Sequence, residues 1–165
     1  MSMAAQIGAS AAAARAHEEM YSYWAGLRRG ARLPARADIE PAALKRLLPT
    51  VSLIDVRRDP LAFRVRLAGT GLYGVYGREI TGRSLAEVYN SGAAEYWRQE
   101  LTAVVEERRP GVGVHSLAWR GAGHLSILWL RLPLASNGRD VDMILGYDTV
   151  VGMQSESGVS GIRAA

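Results

Sequence analysis

The sequence predicts an α+β fold in which a five-stranded antiparallel sheet carries helices over one face and an extra helix at the N-terminus. Two short apolar runs, Val51–Val56 and Leu61–Ala68, come first and flank a polar turn. A glycine-rich stretch and one helix-like segment then occupy residues 69–108. Three further strand-like runs between residues 112 and 148 complete the order strand, strand, helices, strand, strand, strand.

The chain length limits the number of domains. A chain of 165 residues fits one domain, because each half would be too small to bury a core of its own. The hydrophobic fraction of 48% and the charged fraction of 22% are ordinary for a packed globular protein. We expect a disordered tail over residues 1–11, an amphipathic helix over 12–32, the globular domain over 33–150 and a flexible tail over 151–165.

Charge and cysteine usage argue against several classes of function. The net charge is +4, but the arginines are scattered along the chain rather than gathered on one face, which disfavours a nucleic-acid partner. No apolar run approaches the roughly 20 residues that a membrane-spanning helix requires. The Ala-rich stretch Ser10–Ala14 lacks the preceding basic residue of a signal peptide. The absence of cysteine fits a reducing compartment, so we expect a cytoplasmic protein.

The N-terminal helix is predicted by an apolar stripe. Its members recur at three- and four-residue intervals, before Gly30 provides a stop; they are Ala13, His17, Met20, Trp24 and Leu27. Such a stripe needs an apolar surface to cover. The surface belongs either to its own domain or to a second copy of the chain.

The first two strands are predicted to form a hairpin around Arg57-Arg58-Asp59-Pro60. The second run alternates, which predicts four apolar side chains on one face (Leu61, Phe63, Val65 and Leu67) and two arginines on the other (Arg64 and Arg66).

The last three runs are predicted to form an antiparallel meander. They are Val112–Trp119, Leu125–Ala135 and Val141–Asp148, and Asn137-Gly138 between the last two indicates a tight turn with positive φ at both residues. The middle run sets Ile127 and Trp129 against several leucines, so both of its faces are apolar and its outer side must be covered.

One motif imitates a dinucleotide-binding site. Gly69, Gly71 and Gly74 have the G-x-G-x-x-G spacing directly after a predicted strand. A dinucleotide site requires a long helix from this turn followed by a parallel strand, whereas the neighbouring strands are hairpin-linked and further glycines interrupt the helix. Glu87 is expected instead to form a capping box with Ser84. We interpret the glycines as a sharp turn off the sheet.

No set of catalytic or metal-binding residues stands out. The three histidines, His17, His115 and His124, have no helical i, i+4 spacing and no cysteine to complete a metal site. The paired acids at Glu18-Glu19 and Glu106-Glu107 are neighbours on helices, where their side chains diverge. There is no G-x-S-x-G nucleophile motif. We therefore predict neither an enzyme nor a metal site.

The residues resemble a bacterial family of small stand-alone PAS-domain proteins. The resemblance covers about residues 20–150 and rests on Leu33-Pro34-Ala35-Arg36-Ala37-Asp38, Leu47-Leu48-Pro49, Arg66-Leu67-Ala68-Gly69-Thr70 and the stretch 77–85. It implies a PAS fold and a signalling module, commonly dimeric, that binds small molecules or acts in trans on a signalling partner. It implies no named cofactor: cysteine-linked photosensors are disfavoured, as is haem, because the segment 92–108 has no histidine.

Two functions follow from the resemblance. In the first, a small molecule, such as a non-covalent flavin or an organic acid, binds between helices and sheet; the candidate ligand-binding residues are Phe63, Val65, Tyr73, Tyr76, Tyr89, Trp97, Leu130 and Met143. In the second, the chain is a ligand-free adaptor that forms a homodimer; the candidate interface residues are Met20, Trp24, Leu27, Ile127 and Trp129. A buried unpaired Arg or His in the cleft would indicate an anionic ligand.

Overall fold

Alternating apolar residues produce five strands that pair into one antiparallel sheet. A computed structural model of the chain describes residues 11–152. The strands are β1 (Val51–Arg57), β2 (Ala62–Ala68), β3 (Gly111–Leu117), β4 (Ala122–Leu134) and β5 (Met143–Gly152). Their order across the sheet is β2-β1-β5-β4-β3, and the pairings are antiparallel. The predicted fold class is confirmed, and the five strands follow one another along the sequence in the predicted order.

In the described part of the chain, four α-helices accompany the sheet. They are α1 (Ala11–Leu27), α2 (Leu72–Tyr76), α3 (Leu85–Val88) and α4 (Ser91–Glu107). Asn90 begins α4 by accepting a 2.9 Å hydrogen bond from the Ala93 amide, and Arg108 ends it with a φ of 56°, two residues before Pro110. Within residues 11–152, no helix is long and apolar enough to cross a membrane.

Helix α1 covers one face of the sheet, which we call the outer face. The stripe predicted from sequence is the buried side of α1, with Ala13, His17, Met20 and Trp24 all buried. Trp24 Nε1 donates a 2.9 Å hydrogen bond to the Pro133 carbonyl, and a bond of the same length joins His17 Nε2 to Thr149 Oγ1 on β5. The expected cover for the outer face is therefore supplied here by the helix of the same chain.

Helices α2 to α4 lie on the opposite face, which we call the inner face. The Trp97 ring of α4 lies 5.1 Å from that of Trp129 on β4. Gly113 pairs with Trp129 across β3 and β4, and a Cβ atom placed there would stand 2.5 Å from the indole ring. The glycine therefore provides the space that the buried tryptophan occupies.

Two local predictions on the β1–β2 side are wrong. A bulge shifts the register of β2 against β1 between the partners of Leu53 and Ile54. Leu67 therefore lies on the opposite face of the sheet from Val65 and is 51% exposed. Ser84 does precede α3, but its side chain makes no capping hydrogen bond, so the predicted capping box with Glu87 is not formed.

The turns of the meander also differ from the prediction. β3 ends at Leu117, because residues 118–120 form a 3-10 turn. β4 and β5 are joined by residues 135–142 rather than by a tight turn. Gly138 has a φ of 79°, but Asn137 does not have a positive φ; its side-chain oxygen instead accepts from the amides of Arg139 and Asp140.

The glycine-rich motif turns the chain against another segment. A Cβ atom on Gly71 would lie 2.9 Å from the Pro49 carbonyl oxygen, and one on Gly69 would lie closer still to the backbone of residues 48 and 49. The motif therefore permits a close crossing of two chain segments. The predicted tails, 1–11 and 151–165, fall outside the described residues, except that Ala11 begins α1 and residues 151 and 152 end β5.

Candidate functional site

A buried ion pair lies at the centre of the inner face. Arg131 on β4 donates from Nη1 to Asp148 Oδ1 at 2.7 Å and from Nη2 to Oδ2 at 3.3 Å. The two side chains are 2% and 0% exposed. The strand register explains the contact, because Asp148 pairs with Trp129, two residues from Arg131 on the same face of β4.

The surroundings of Arg131 favour its charged form. Its Cζ atom lies 4.7 Å from the centre of the Trp97 ring and 5.9 Å from that of Trp129, and Nη1 also donates to the Leu130 carbonyl at 2.9 Å. Burial alone would lower the pKa of the guanidinium, but the charge and hydrogen bonds of Asp148, together with Tyr76 and Tyr89, more than offset this, and the pKa lies above its ordinary value. Arg131 is therefore a permanent buried cation with an internal counter-ion.

Two tyrosines connect the ion pair to the helices. The Tyr76 hydroxyl donates to Asp148 Oδ2 at 2.8 Å, and the Tyr89 hydroxyl donates to the Tyr76 oxygen at 3.3 Å. Burial raises the pKa of both phenols, and the neighbouring negative charge of Asp148 raises both further. Both hydroxyls therefore keep their protons at neutral pH. The result is a hydrogen-bonded chain, Tyr89–Tyr76–Asp148–Arg131, from α2 and the C-terminal end of α3 into the sheet.

Small residues leave room for the hydrogen-bonded side chains. Gly146 pairs with Arg131 on one side and with Ser52 on the other. A Cβ atom on Gly146 would lie 3.2 Å from Arg131 Nη1 and would overlap the Ser52 hydroxyl. The guanidinium therefore lies over a strand position where only glycine fits without rearrangement.

The Tyr89 end of the hydrogen-bonded chain borders an opening, which we call the aromatic cleft. It has a volume of about 570 Å³ and is lined by Tyr76, Gly77, Arg78, Ala86, Glu87, Val88, Tyr89, Asn90, Trp119 and Arg120. The Trp119 ring meets the Tyr89 ring edge to face at 4.9 Å. Arg120 Nε donates to the Val75 carbonyl at 2.7 Å, which fixes that side chain against the end of α2.

Some buried hydrogen-bond donors of the site lack an acceptor. Three buried N–H groups have no partner within the described structure: Trp97 Nε1, Trp119 Nε1 and Arg131 Nε. None of these groups can accept a hydrogen bond. The lining of the aromatic cleft carries two arginines against one glutamate, so its local charge is positive. The arrangement suits a ligand with acceptor oxygens and a flat apolar part.

The structure brings together some of the predicted ligand-binding residues and separates others. Tyr76, Tyr89 and Trp97 meet around the ion pair. Phe63 and Val65 are buried on the inner face further along the sheet.

Three predicted ligand-binding residues lie elsewhere. Tyr73 is 60% exposed on α2. Leu130 and Met143 lie on the outer face, because Leu130 pairs with Tyr147, whose ring contacts His17 of α1, and Met143 is four positions along β5 from Tyr147. Their predicted place in the cleft is therefore wrong.

The predicted interface residues are divided between the two faces. Met20 and Trp24 are fully buried beneath α1 and Leu27 is half-buried, all within one chain. Trp129 was expected under the N-terminal helix but packs against Trp97, and strand alternation places Ile127 on the same inner face. That expectation is wrong because the two apolar faces of β4 are indistinguishable in sequence.

The central residues Arg131, Asp148 and Trp119 were missed. A signal was present, since Arg131 is the one charged residue inside the run Leu125–Ala135 and Asp148 directly follows the uncharged stretch 143–147. A charge in a strand that is apolar on both faces must be paired. Among the described residues, no group of three His, Asp or Glu side chains is placed to hold a metal ion.

Comparison with known proteins identifies the family. A family model described as PAS domain matches residues 12–148. The solved PAS domain of a protein from Colwellia psychrerythraea has a similar fold, with a TM-score of 0.50 and 14% sequence identity over 68% of this chain and 97% of that one. No curated protein matches the sequence. PAS domains are generally sensory and signalling modules rather than enzymes. With the family model spanning most of its length, this chain belongs to the PAS domain family.

Proposed function

We propose that this PAS domain is a sensor that binds a small aromatic carboxylate in the aromatic cleft. The observation that carries the proposal is the Tyr89–Tyr76–Asp148–Arg131 chain, which joins a residue lining the cleft to a charge buried in the sheet. A ligand that contacts Tyr89 or Tyr76 changes the hydrogen bonding of Asp148, and through it the pairing of β4 with β5. The lack of cysteine fits a role in the cytoplasm.

The chemical class follows from the lining. Tyr89 and Trp119 offer aromatic surfaces for stacking, and Arg78 and Arg120 offer positive charge for a carboxylate. The volume of about 570 Å³ lies within the range of roughly 300 to 1,000 Å³ that is usual for small-molecule sites. Arg131 itself does not require an external anion, because Asp148 already neutralises it.

Thermal unfolding with and without benzoate tests the proposal. We expect benzoate to raise the melting temperature, because a ligand that binds only the folded state stabilises it. Benzamide, which has the same ring without the charge, should have a smaller effect. Replacing Arg78 by Gln should weaken the benzoate effect, since Arg78 lines the cleft and makes no described hydrogen bond. Arg15→Gln, an exposed change on α1 at the other face, is the matched control.

The outcome against the proposal is equally specific. An identical melting temperature with and without benzoate across a wide concentration range would contradict the ligand class. Equal stabilisation in the Arg78→Gln and Arg15→Gln variants would place binding outside the cleft.

A second function, a ligand-free adaptor that contacts partner proteins, is favoured by the filled interior. Trp97, Arg131 and Asp148 are almost fully buried and pack against one another, and Asp148 neutralises Arg131, so the inner face needs no anionic guest to balance its charge. Four large apolar side chains are exposed on the described surface: Tyr21, Leu67, Tyr73 and Val150. An adaptor should show the same stability with every small molecule tested and should associate through its surface.

A further inference from the structure

The two edge strands of the sheet differ in their backbone pairing and in their charge. At the β2 edge, the segment 82–84 covers the middle of the strand: the Val65 amide donates to the Arg83 carbonyl at 2.9 Å, and the Gly82 amide donates to the Val65 carbonyl at 2.7 Å. β2 also carries Arg64 and Arg66. Covering segments and charged residues are the usual means by which an edge strand avoids further pairing.

The β3 edge has neither device. Within residues 11–152, the backbone of β3 pairs with β4 alone, so its outward-facing amide and carbonyl groups have no backbone partner. Its sequence, Gly-Val-Gly-Val-His-Ser-Leu, contains no Lys, Arg, Asp, Glu or Pro. His115 adds no charge at neutral pH, because burial lowers its pKa to about 4. An open and uncharged edge is a site for adding a strand.

A groove lies beside the start of β3. It has a volume of about 630 Å³ and is lined by α1, α4 and the strand itself, with Tyr21, Val104, Val112 and Leu130 as its main apolar residues. Tyr21 is 47% exposed, although it is a large aromatic side chain. The open edge, the groove and the exposed aromatic ring therefore lie at one place.

We propose that the β3 edge pairs antiparallel with β3 of a second copy of this chain, with the adjoining groove as part of the interface. A two-fold axis across an edge strand brings the same strand of two copies together in antiparallel orientation. Because β3 carries no charge, self-pairing opposes no like charges across the ladder. This inference deepens the adaptor function and does not depend on ligand binding in the aromatic cleft.

Analytical ultracentrifugation of the full chain tests the pairing. The wild-type chain should form a concentration-dependent dimer. Val112→Lys introduces a charge into β3 beside the groove and should raise the dimer dissociation constant at least about tenfold. Leu67→Lys is the matched control, because it introduces the same charge at an exposed apolar residue on β2, at the opposite edge of the sheet from β3, and it should leave the dimer unchanged.

Hydrogen exchange of the wild-type chain provides a second reading that requires no variant. Amides of residues 111–117 should exchange more slowly at dimer-forming concentrations than at low concentration, while those of β2 should not change. A wild-type monomer at all concentrations, a dimer equally weakened by both lysine variants, or concentration-independent exchange in β3 would overturn the inference. None of these results would alter a measured response to benzoate.

Discussion

Replacing Asp148 by Asn should destabilise the fold far more than the loss of an ordinary ion pair. The change removes the counter-ion of Arg131, whose side chain is 2% exposed, and leaves a positive charge that cannot reach water. Breaking a buried pair by removing one partner costs about 3 to 5 kcal/mol. We expect the lower end, because asparagine still accepts one hydrogen bond and the rings of Trp97 and Trp129 still face the guanidinium.

The control is an exposed pair between neighbouring strands. Arg66 Nε lies 3.1 Å from Asp55 Oδ1, with side chains 60% and 30% exposed, so Asp55→Asn should cost only about 0 to 1 kcal/mol. Urea unfolding at pH 7 measures both variants, and the two must share a similar dependence on urea for the comparison to hold.

Replacing Arg131, Asp148 and Tyr76 together by apolar residues should restore much of the stability that Asp148→Asn loses. A triple variant, Arg131→Met with Asp148→Leu and Tyr76→Phe, leaves no buried charge at this site. The hydroxyl that loses its acceptor, that of Tyr89, belongs to a half-buried side chain that lines the aromatic cleft. Apolar replacement of a buried ion pair is often neutral or stabilising. If Asp148→Asn costs no more than Asp55→Asn, or if the triple variant is less stable than Asp148→Asn, then the ion pair does not organise the inner face as described.

Three further predictions concern packing and pH. Gly113→Ala should lower the free energy of unfolding by about 1 to 3 kcal/mol, because the new methyl group would stand 2.5 Å from the Trp129 ring. Gly123→Ala on β4 is the control and should have little effect, because the nearest neighbour of its new methyl group would lie at 3.6 Å. Equal urea midpoints for the two variants would refute the reasoning. Trp24→Ala should lower the unfolding free energy by about 3 to 5 kcal/mol, since the ring is 1% exposed within one chain; a change in sedimentation with unchanged stability would contradict that placement. Burial lowers the pKa of His17 to about 4, so the unfolded chain takes up the proton first, and the contribution of His17 to stability should fall as pH drops from about 6.5 to 4, by up to about 3 kcal/mol at about 1.36 kcal/mol per pH unit. His115, whose pKa burial also lowers to about 4, adds a separate fall over the same range. His17→Gln should reduce the combined fall, and an unchanged pH dependence would count against a neutral buried imidazole.

Strand order and the covering helix were predictable because each depends on a local pattern. The apolar stripe of α1 has the helical period, and four of its five members are buried as that period requires. The hairpin of β1 and β2 follows from alternation on either side of a polar turn. These features involve residues close together in sequence, where periodicity alone carries the information.

The candidate site was less predictable because it depends on which face of a strand is buried against which helix. β4 is apolar on both faces, so its sequence does not distinguish the side that meets α4 from the side that meets α1. Trp129 and Leu130 were therefore assigned to opposite faces from those they occupy. The bulge in the pairing of β1 with β2 was equally unpredictable, because a one-residue shift moves Leu67 to the other face while the alternation in the β2 sequence stays the same.

The sequence does contain a signal for the buried ion pair at Arg131. A lone arginine within an apolar strand demands a partner, and the register of a β4–β5 hairpin limits the choice to a few residues. The buried charge that would indicate an anionic ligand is present, but it is paired within the protein, with Asp148 of the same sheet.

The indole N–H signals of the four tryptophans, observed by NMR during titration with benzoate, test the proposed sensor site most directly. Trp119 lines the aromatic cleft, Trp97 lies against the buried ion pair, and Trp24 lies on the opposite face beneath α1. We predict that the Trp119 signal moves most, that the Trp97 signal follows with the same dissociation constant, and that the Trp24 signal stays in place. Four unchanged signals, or a shift confined to Trp24, would contradict binding in the aromatic cleft.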